Sequence, residues 1–428
     1  IGNNQNLPRQ EHAVASGTLP DGKPVVVNSD GTVSVVSETS VSQSVGSPTR
    51  YDTSSVPSTS ATFDSNSNKV IIAYKDSTKG AAIVGTVSGT SISFGSQTVF
   101  QTGTIYEPTV TFDSNSNKVV VAYRNDENSN YGTAVVGTVS GTSISFGSKV
   151  VFNSARTNYS SATFDSNSNK VVIAYNDGGN SNYGTAIVGT VSGTSISFGS
   201  AAVFESASVD LPSAIFDSNS NKVVIAYIDE GNSKYGTAIV GTVSGTSISF
   251  GSPVVFDSGS STYGSQYMTA TFDSNANKVV IGYMDGANSD YGTAIVGTVS
   301  GNSISFGSKV VFESAQTYQT ASTFDSNSNR VVIMYRDGGA SFSPGTCVVF
   351  RNASDDSNIT SENYIGIAHS GAASGARAII DTQGAIADNL SGLTAGQSYF
   401  VQGDGTLGTT AASPSVFAGT AVSATELI

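Results

Sequence analysis

Apolar positions along this chain come in two textures that succeed one another over and over. Lys170 to Tyr175 is apolar almost without interruption, as expected of a strand covered on both faces, whereas Ser195 to Phe198 alternates polar and apolar like a half-wet outer strand. Ser161 to Phe164 reads as a strand before them, closed by an Asx-rich turn at Asp165 to Asn169, and Thr185 to Val191 reads as the strand between. These four strands, A to D in chain order, make one unit.

The unit recurs. The phrase Phe-Asp-Ser-Asn-(Ser/Ala)-Asn begins at Phe63, Phe112, Phe164, Phe216, Phe272 and Phe324, with spacings of 49, 52, 52, 56 and 52 residues. Four strands in each period of this length fit the blade of a propeller better than the coil of a solenoid. The expected fold is all-β: a six-bladed β-propeller of four-stranded blades over residues 41–350, with repeats starting near 58, 107, 159, 211, 267 and 319. The sixth copy has strands A, B (Val331 to Tyr335) and C (Thr346 to Phe350) but no strand D. Val45 to Asp52 aligns with Phe250 to Asp257, the end of a strand D, so residues 41–51 are expected to complete the sixth blade and close the ring. Residues 1–40 form a β lead segment and residues 351–428 a small C-terminal β domain.

Antiparallel order puts the A–B and C–D turns at one end of every blade and the B–C and D–A connections at the other. The first end is nearly identical in all copies, while the second varies in length and chemistry. Its D–A connections carry Tyr106, Arg156, Tyr159, Asp210, Leu211, Tyr263, Tyr267 and Tyr318; its B–C connections carry Asp126, Glu127 and Glu230. Rings beside amides and carboxylates suit a carbohydrate, whose apolar faces stack while its hydroxyls take paired hydrogen bonds. Tyr131, Tyr183, Tyr235 and Tyr291 recur at one position and are expected to pack between blades instead.

Composition narrows the chemistry. The chain carries a net charge of −13 with only 19 Lys plus Arg, so it has no basic stripe for nucleic acid. No apolar run nears the roughly 20 residues of a membrane helix, and the start of the chain lacks the apolar core of a signal peptide, so a soluble protein is expected. Because it begins at Ile1, it is expected to be processed or part of something longer. One cysteine, Cys347, excludes an internal disulfide framework and stands where other copies have Ala134 and Ala186, which predicts a small buried side chain. His12 and His369 stand apart from any acid or nucleophile motif, which leaves a catalytic triad without support.

Asp76, Asp126, Asp177, Asp229, Asp285 and Asp337 follow strand B in successive copies. They could ligate calcium or cap turns; no copy has a dense ligand run, so capping is preferred and no cofactor is expected. The Asp-Ser-Asn-Ser-Asn turns likewise lack the Gly and the terminal Glu of a calcium loop. Tyr123 to Asp126 and Tyr335 to Asp337 resemble sialidase blades faintly, without an evident arginine cluster or a tuned carboxylate pair, so no enzyme is expected.

At the C-terminus, Ser391 to Gln402, Asp404 to Leu407 and Ala418 to Ser423 resemble a terminal module of tail-fibre-like and other structural proteins of marine bacteriophages. The lead segment, Ala15 to Gly22 and Asn28 to Val33, is similar to a short β segment of the same group. The resemblance implies a virion-surface or extracellular location, other virion subunits or further copies of itself as partners, and a host-surface glycan as target. A bacterial adhesin or filament subunit is the alternative, and a secreted glycan-active enzyme a third.

Overall fold

The computed structural model describes residues 10–37, 49–88, 91–259, 265–326, 329–339, 345–350, 358–360, 362–382, 384–403, 405–411 and 415–428. It is all-β: among the described residues helix is limited to two single 3-10 turns, Asp126–Asn128 and Gly286–Asn288. The chain folds as two compact units, residues 44–350 and a second made of residues 1–43 together with 351–428.

In the repeat unit each copy is an antiparallel meander. The third shows the plan. Its strand A, the second half of Val150–Asp165, pairs with strand B, Lys170–Asp177, which pairs with strand C, Tyr183–Ser192. Strand D comes in two pieces: Ser195–Phe198 pairs with the end of strand C, and the first half of Ala202–Asp217 pairs with its beginning. The break falls at Gly199, whose N–H still reaches Val188 O at 2.9 Å. Strand B is buried along nearly its whole length, which is why its sequence is apolar on both faces.

One expectation needs correction. At three junctions strand D does not reach strand A through a loop, because Val150–Asp165, Ala202–Asp217 and Val310–Asp325 are single strands of 16 residues that leave one copy and enter the next, whereas Thr98–Gln101 and Ile105–Asp113 stay separate strands. The change of direction is absorbed by a bulge: the register of Val150–Asp165 on strand B shifts between Asn158 and Ser161, and Tyr159 takes φ +50°. Glu107, Leu211, Tyr267 and Gln319 repeat that left-handed conformation in other copies.

Consecutive A strands lie side by side, and each would expose edge N–H groups were it not for its neighbour. A hydroxyl of the preceding copy accepts them: Ser60 from Val110 N at 3.2 Å, Thr109 from Ala162 N at 3.1 Å, Ser161 from Ala214 N at 3.0 Å and Ser213 from Ala270 N at 2.9 Å. Farther out, an aromatic cluster joins neighbours. Phe204 of the third copy meets Tyr227 and Phe250 of the fourth, with centroids 5.1 and 5.8 Å away, and Phe100, Phe152 and Phe256 do the same in theirs. The apolar core is accordingly a series of layers between copies, one of them formed by Val172, Ala174, Ala186 and Val188 against Val223, Ile225 and Tyr227.

The sixth copy shows strands in Val310–Asp325, Arg330–Asp337 and Gly345–Phe350, with no fourth among the described residues. Residues 41–48 of the expected closing strand lie outside the described residues. The outward faces of the first and last copies are partly open: Phe63 is 54% exposed where Phe112 is 8%, and Met334 is 44% exposed where Ala122 is fully buried. Cys347, paired with Met334 across the strands, is exposed as well. Its expected burial is thus corrected, since among the described residues no neighbouring layer covers it as one covers Ala134 and Ala186.

In the other unit, strands from both chain ends share one sheet, in the order Gln10–Val14, Arg377–Asp381, Tyr364–Ala368, Pro24–Val27, Val33–Val35. The lead and C-terminal segments are one body, joined by long-range hydrogen bonding that spacing along the chain does not reveal.

Candidate polar pocket at the variable end

The invariant end is architectural. Asp64, Asp113, Asp165, Asp217 and Asp273 each accept the N–H groups two and three residues ahead at 2.9–3.1 Å, so the repeated Asx turns spend their carboxylates on the backbone. After strand B, Asp177, Asp229, Asp285 and Asp337 also take turn N–H groups, at 2.8–3.1 Å. Among the described residues no three His, Cys, Asp or Glu side chains converge as a metal site would require.

The opposite end holds a polar cavity of about 570 Å³ where the second, third and fourth copies meet. Its walls are built from two columns of the repeat. The last residue but one of strand B is Lys75, Arg124, Asn176, Ile228, Met284 and Arg336 in successive copies, and its strand A partners include Tyr106, Asn158, Asp210 and Tyr318. The bulge turns the following residue, Glu107 or Tyr159, toward the same opening. Arg156, Asn182 and Ser208 complete the rim.

A hydrogen-bond chain organises the floor. Arg124 Nη1 and Arg156 Nε both donate to Asn158 Oδ1, the latter at 3.2 Å; Asn158 Nδ2 donates to Asn176 Oδ1 at 3.1 Å, and Asn176 Nδ2 to Val209 O at 2.6 Å. Glu107 Oε2 accepts Tyr159 N–H at 2.6 Å, bridging two copies. Behind Arg124 the ring of Tyr106 lies 4.3 Å from its guanidinium and 4.0 Å from Lys75 Nζ. Burial, then the Asp210 and Glu107 carboxylates, raise the Tyr159 hydroxyl above its ordinary pKa against the opposing arginines. Burial, then the like charge of Asp210, raise Glu230, while Lys234 Nζ at 3.9 Å opposes them.

Of the expected site residues, Arg156, Tyr159 and Asp210 line this cavity, Tyr106 supports it, and Glu230 meets it through Asp210. Tyr267 and Tyr318 pair elsewhere, edge to face at 5.6 Å, with Arg336 4.7 Å over Tyr318. Asp126 and Glu127 stand exposed on their 3-10 turn, where Glu127 accepts Gln101 Nε2 at 2.7 Å. Tyr263 lies outside the described residues. Tyr131, Tyr183, Tyr235 and Tyr291 are half-buried. Glu107, Asn158, Asn176 and the role of Arg124 escaped the sequence reading. Comparing the copies column by column would have singled out Arg124 and Asn176, because the strand B column is apolar in the fourth and fifth copies and polar in the other four. The same geometry joins two arginines and two carboxylates that lie far apart in the chain.

No family model and no curated protein matches the chain. Solved structures do. A lectin of Burkholderia pseudomallei, BP39L, superposes with a TM-score of 0.54 at 10% identity, covering 81% of this chain and 97% of its own. AofleA of Arthrobotrys oligospora gives 0.45 at 10% identity over 75% and 88%. What BP39L shares with the chain is the fold. The repeat unit is a β-propeller-like, all-β array of antiparallel sheets.

Proposed function

We propose that this protein is a non-enzymatic glycan-binding protein and that the cavity between the second, third and fourth copies is its binding site. The observation that carries the reading is the cavity's lining: guanidinium, amide and carboxylate groups beside a half-buried tyrosine, at the one end of the array where the copies differ. Such groups offer a sugar ring one apolar face and several donors and acceptors for neighbouring hydroxyls. The fold shared with a lectin agrees with this. A glycan array with the intact protein tests it, with Asp210→Asn and Tyr159→Ala as variants. Loss of signal in both is expected, and an undiminished signal in both places binding elsewhere.

The reading extends to the whole array as a six-bladed propeller whose last blade is completed by residues 41–51. Its support is Tyr51, whose ring lies 5.1 Å from Tyr74 and 5.9 Å from Phe94. Phe100 of the first copy holds the same two places against Tyr123 and Phe146 of the second, at 5.2 and 5.4 Å. Tyr51 therefore stands where the strand D of a preceding blade should end. From the resemblance of the chain ends to virion structural proteins, we assign the joined terminal unit to attachment or oligomer contacts. The propeller would then be displayed on a virion surface; a cellular adhesin or filament is the competing setting, which microscopy of labelled particles distinguishes.

A further inference from the structure

We infer that the cavity selects an acidic saccharide, one whose carboxylate sits between Arg124 and Arg156. The inference rests on the glycan-binding reading above and names the class of ligand. In a chain with net charge −13, three cationic side chains meet here: Lys75 and Arg124 on the Tyr106 ring, and Arg156 beside Arg124. The two guanidiniums converge on a single acceptor, Asn158 Oδ1, and that acceptor is neutral. Neither arginine has a carboxylate within ion-pair distance among the described residues. Arg124 Nε is buried and has no hydrogen-bond partner. Like charges brought together around an uncharged oxygen, with donors left over, form a site that lacks its anion. The planar fork of a guanidinium matches a carboxylate in particular.

The cavity's own carboxylates do not fill that role. Glu107 Oε2 is committed to the Tyr159 amide, and Asp210 faces the like charge of the Glu230 carboxylate. Their remaining lone pairs can accept from the hydroxyl groups of a sugar at the far side of the cavity. The negative charge of the whole molecule acts over a distance that physiological salt screens within about 8 Å, whereas the arginines act in contact.

The test measures binding of an oligouronate, of the same oligosaccharide with its carboxyl groups reduced to alcohols, and of a sialylated oligosaccharide, to the full chain. The expected result is that at least one carboxylate-bearing probe binds ten-fold or more tightly than the reduced one, and the arm that binds names the source of the carboxylate. Arg156→Gln, at an exposed position, should erase that ratio while leaving the melting temperature near wild type. Asn158→Asp supplies the missing counter-ion from within, at the loss of the Nδ2 donor to Asn176 Oδ1, so it should abolish binding of the acidic probes. Equal binding of the acidic and reduced probes overturns the inference and leaves the glycan-binding reading standing, as does a ratio that survives both substitutions. Failure of every saccharide on the array removes the glycan-binding reading itself.

Discussion

Six tyrosines at one strand B position, Tyr74, Tyr123, Tyr175, Tyr227, Tyr283 and Tyr335, carry the contact between neighbouring copies. Burial, above all, pushes their hydroxyls well above the ordinary value of 10.0. The hydroxyls differ in partners, which makes a controlled comparison possible. Tyr227 donates to Glu205 Oε2 at 3.0 Å, while the Tyr123 hydroxyl is buried without a partner. Removing a bonded hydroxyl strands its acceptor, and removing an unbonded one relieves a desolvation penalty. Tyr227→Phe should therefore cost about 1–2 kcal/mol in chemical denaturation, and Tyr123→Phe should be neutral or stabilising. A raised folded pKa also means that stability is intact below pH 10.0 and drains away above it, as the unfolded tyrosines ionise and the folded ones do not.

Among the elements, two glycines of each copy look alike in sequence and do different work. Gly193 closes the C–D turn at φ +60°, and a Cβ built there would meet nothing within 4 Å. Gly147, at the break in strand D, lies so close to the next copy that a Cβ would fall 1.9 Å from Thr194 O. Gly193→Ala should cost only the backbone strain, about 1 kcal/mol, whereas Gly147→Ala must push two copies apart and should cost several times that. Thermal melts of the two variants decide it; equal losses would mean that the copies do not approach as described. Gly307 shows the dependence on a neighbour directly. Among the described residues only Val296 O lies within 4 Å of its Cβ position, and there the sixth copy presents no C–D turn.

At the scale of the molecule, the question is how the array ends. Its stability comes from layers between copies, and among the described residues the first and last copies each leave one face partly open, as Phe63, Met334 and Cys347 show by their exposure. Tyr51 supplies part of what the first copy lacks, packing with Val56 on Tyr74, Ala81 and Ile83. Tyr51→Ala removes two aromatic contacts and should lower stability by about 1–3 kcal/mol, with the loss visible as a lower melting temperature of the whole repeat unit. A loss confined to local fraying, with the main transition unmoved, would show that Tyr51 does not join the ends.

Much of this was legible in the chain itself. The periodic phrase at Phe63 to Phe324, the continuous apolar strand B and the alternating strand D are local patterns, and hydrophobic burial and turn chemistry act on them in every copy alike. They determined the repeat, its strands, its capped turns and which end varies. Arg156, Tyr159 and Asp210 could be named from that variation alone. What only the tertiary structure decided was which variable residues share one space. Glu107 and Tyr159 meet because neighbouring A strands lie side by side, and Arg124 meets Arg156 because both reach Asn158. The bulge that aims Tyr159 is a left-handed conformation imposed on a non-glycine residue by its neighbours, and so leaves no local signature. The same holds for the pairing of Gln10–Val14 with Arg377–Asp381, across nearly the whole length of the chain. Periodicity reports what a residue does within its own strand; contacts between copies and between chain ends depend on closure in space, which no local pattern encodes.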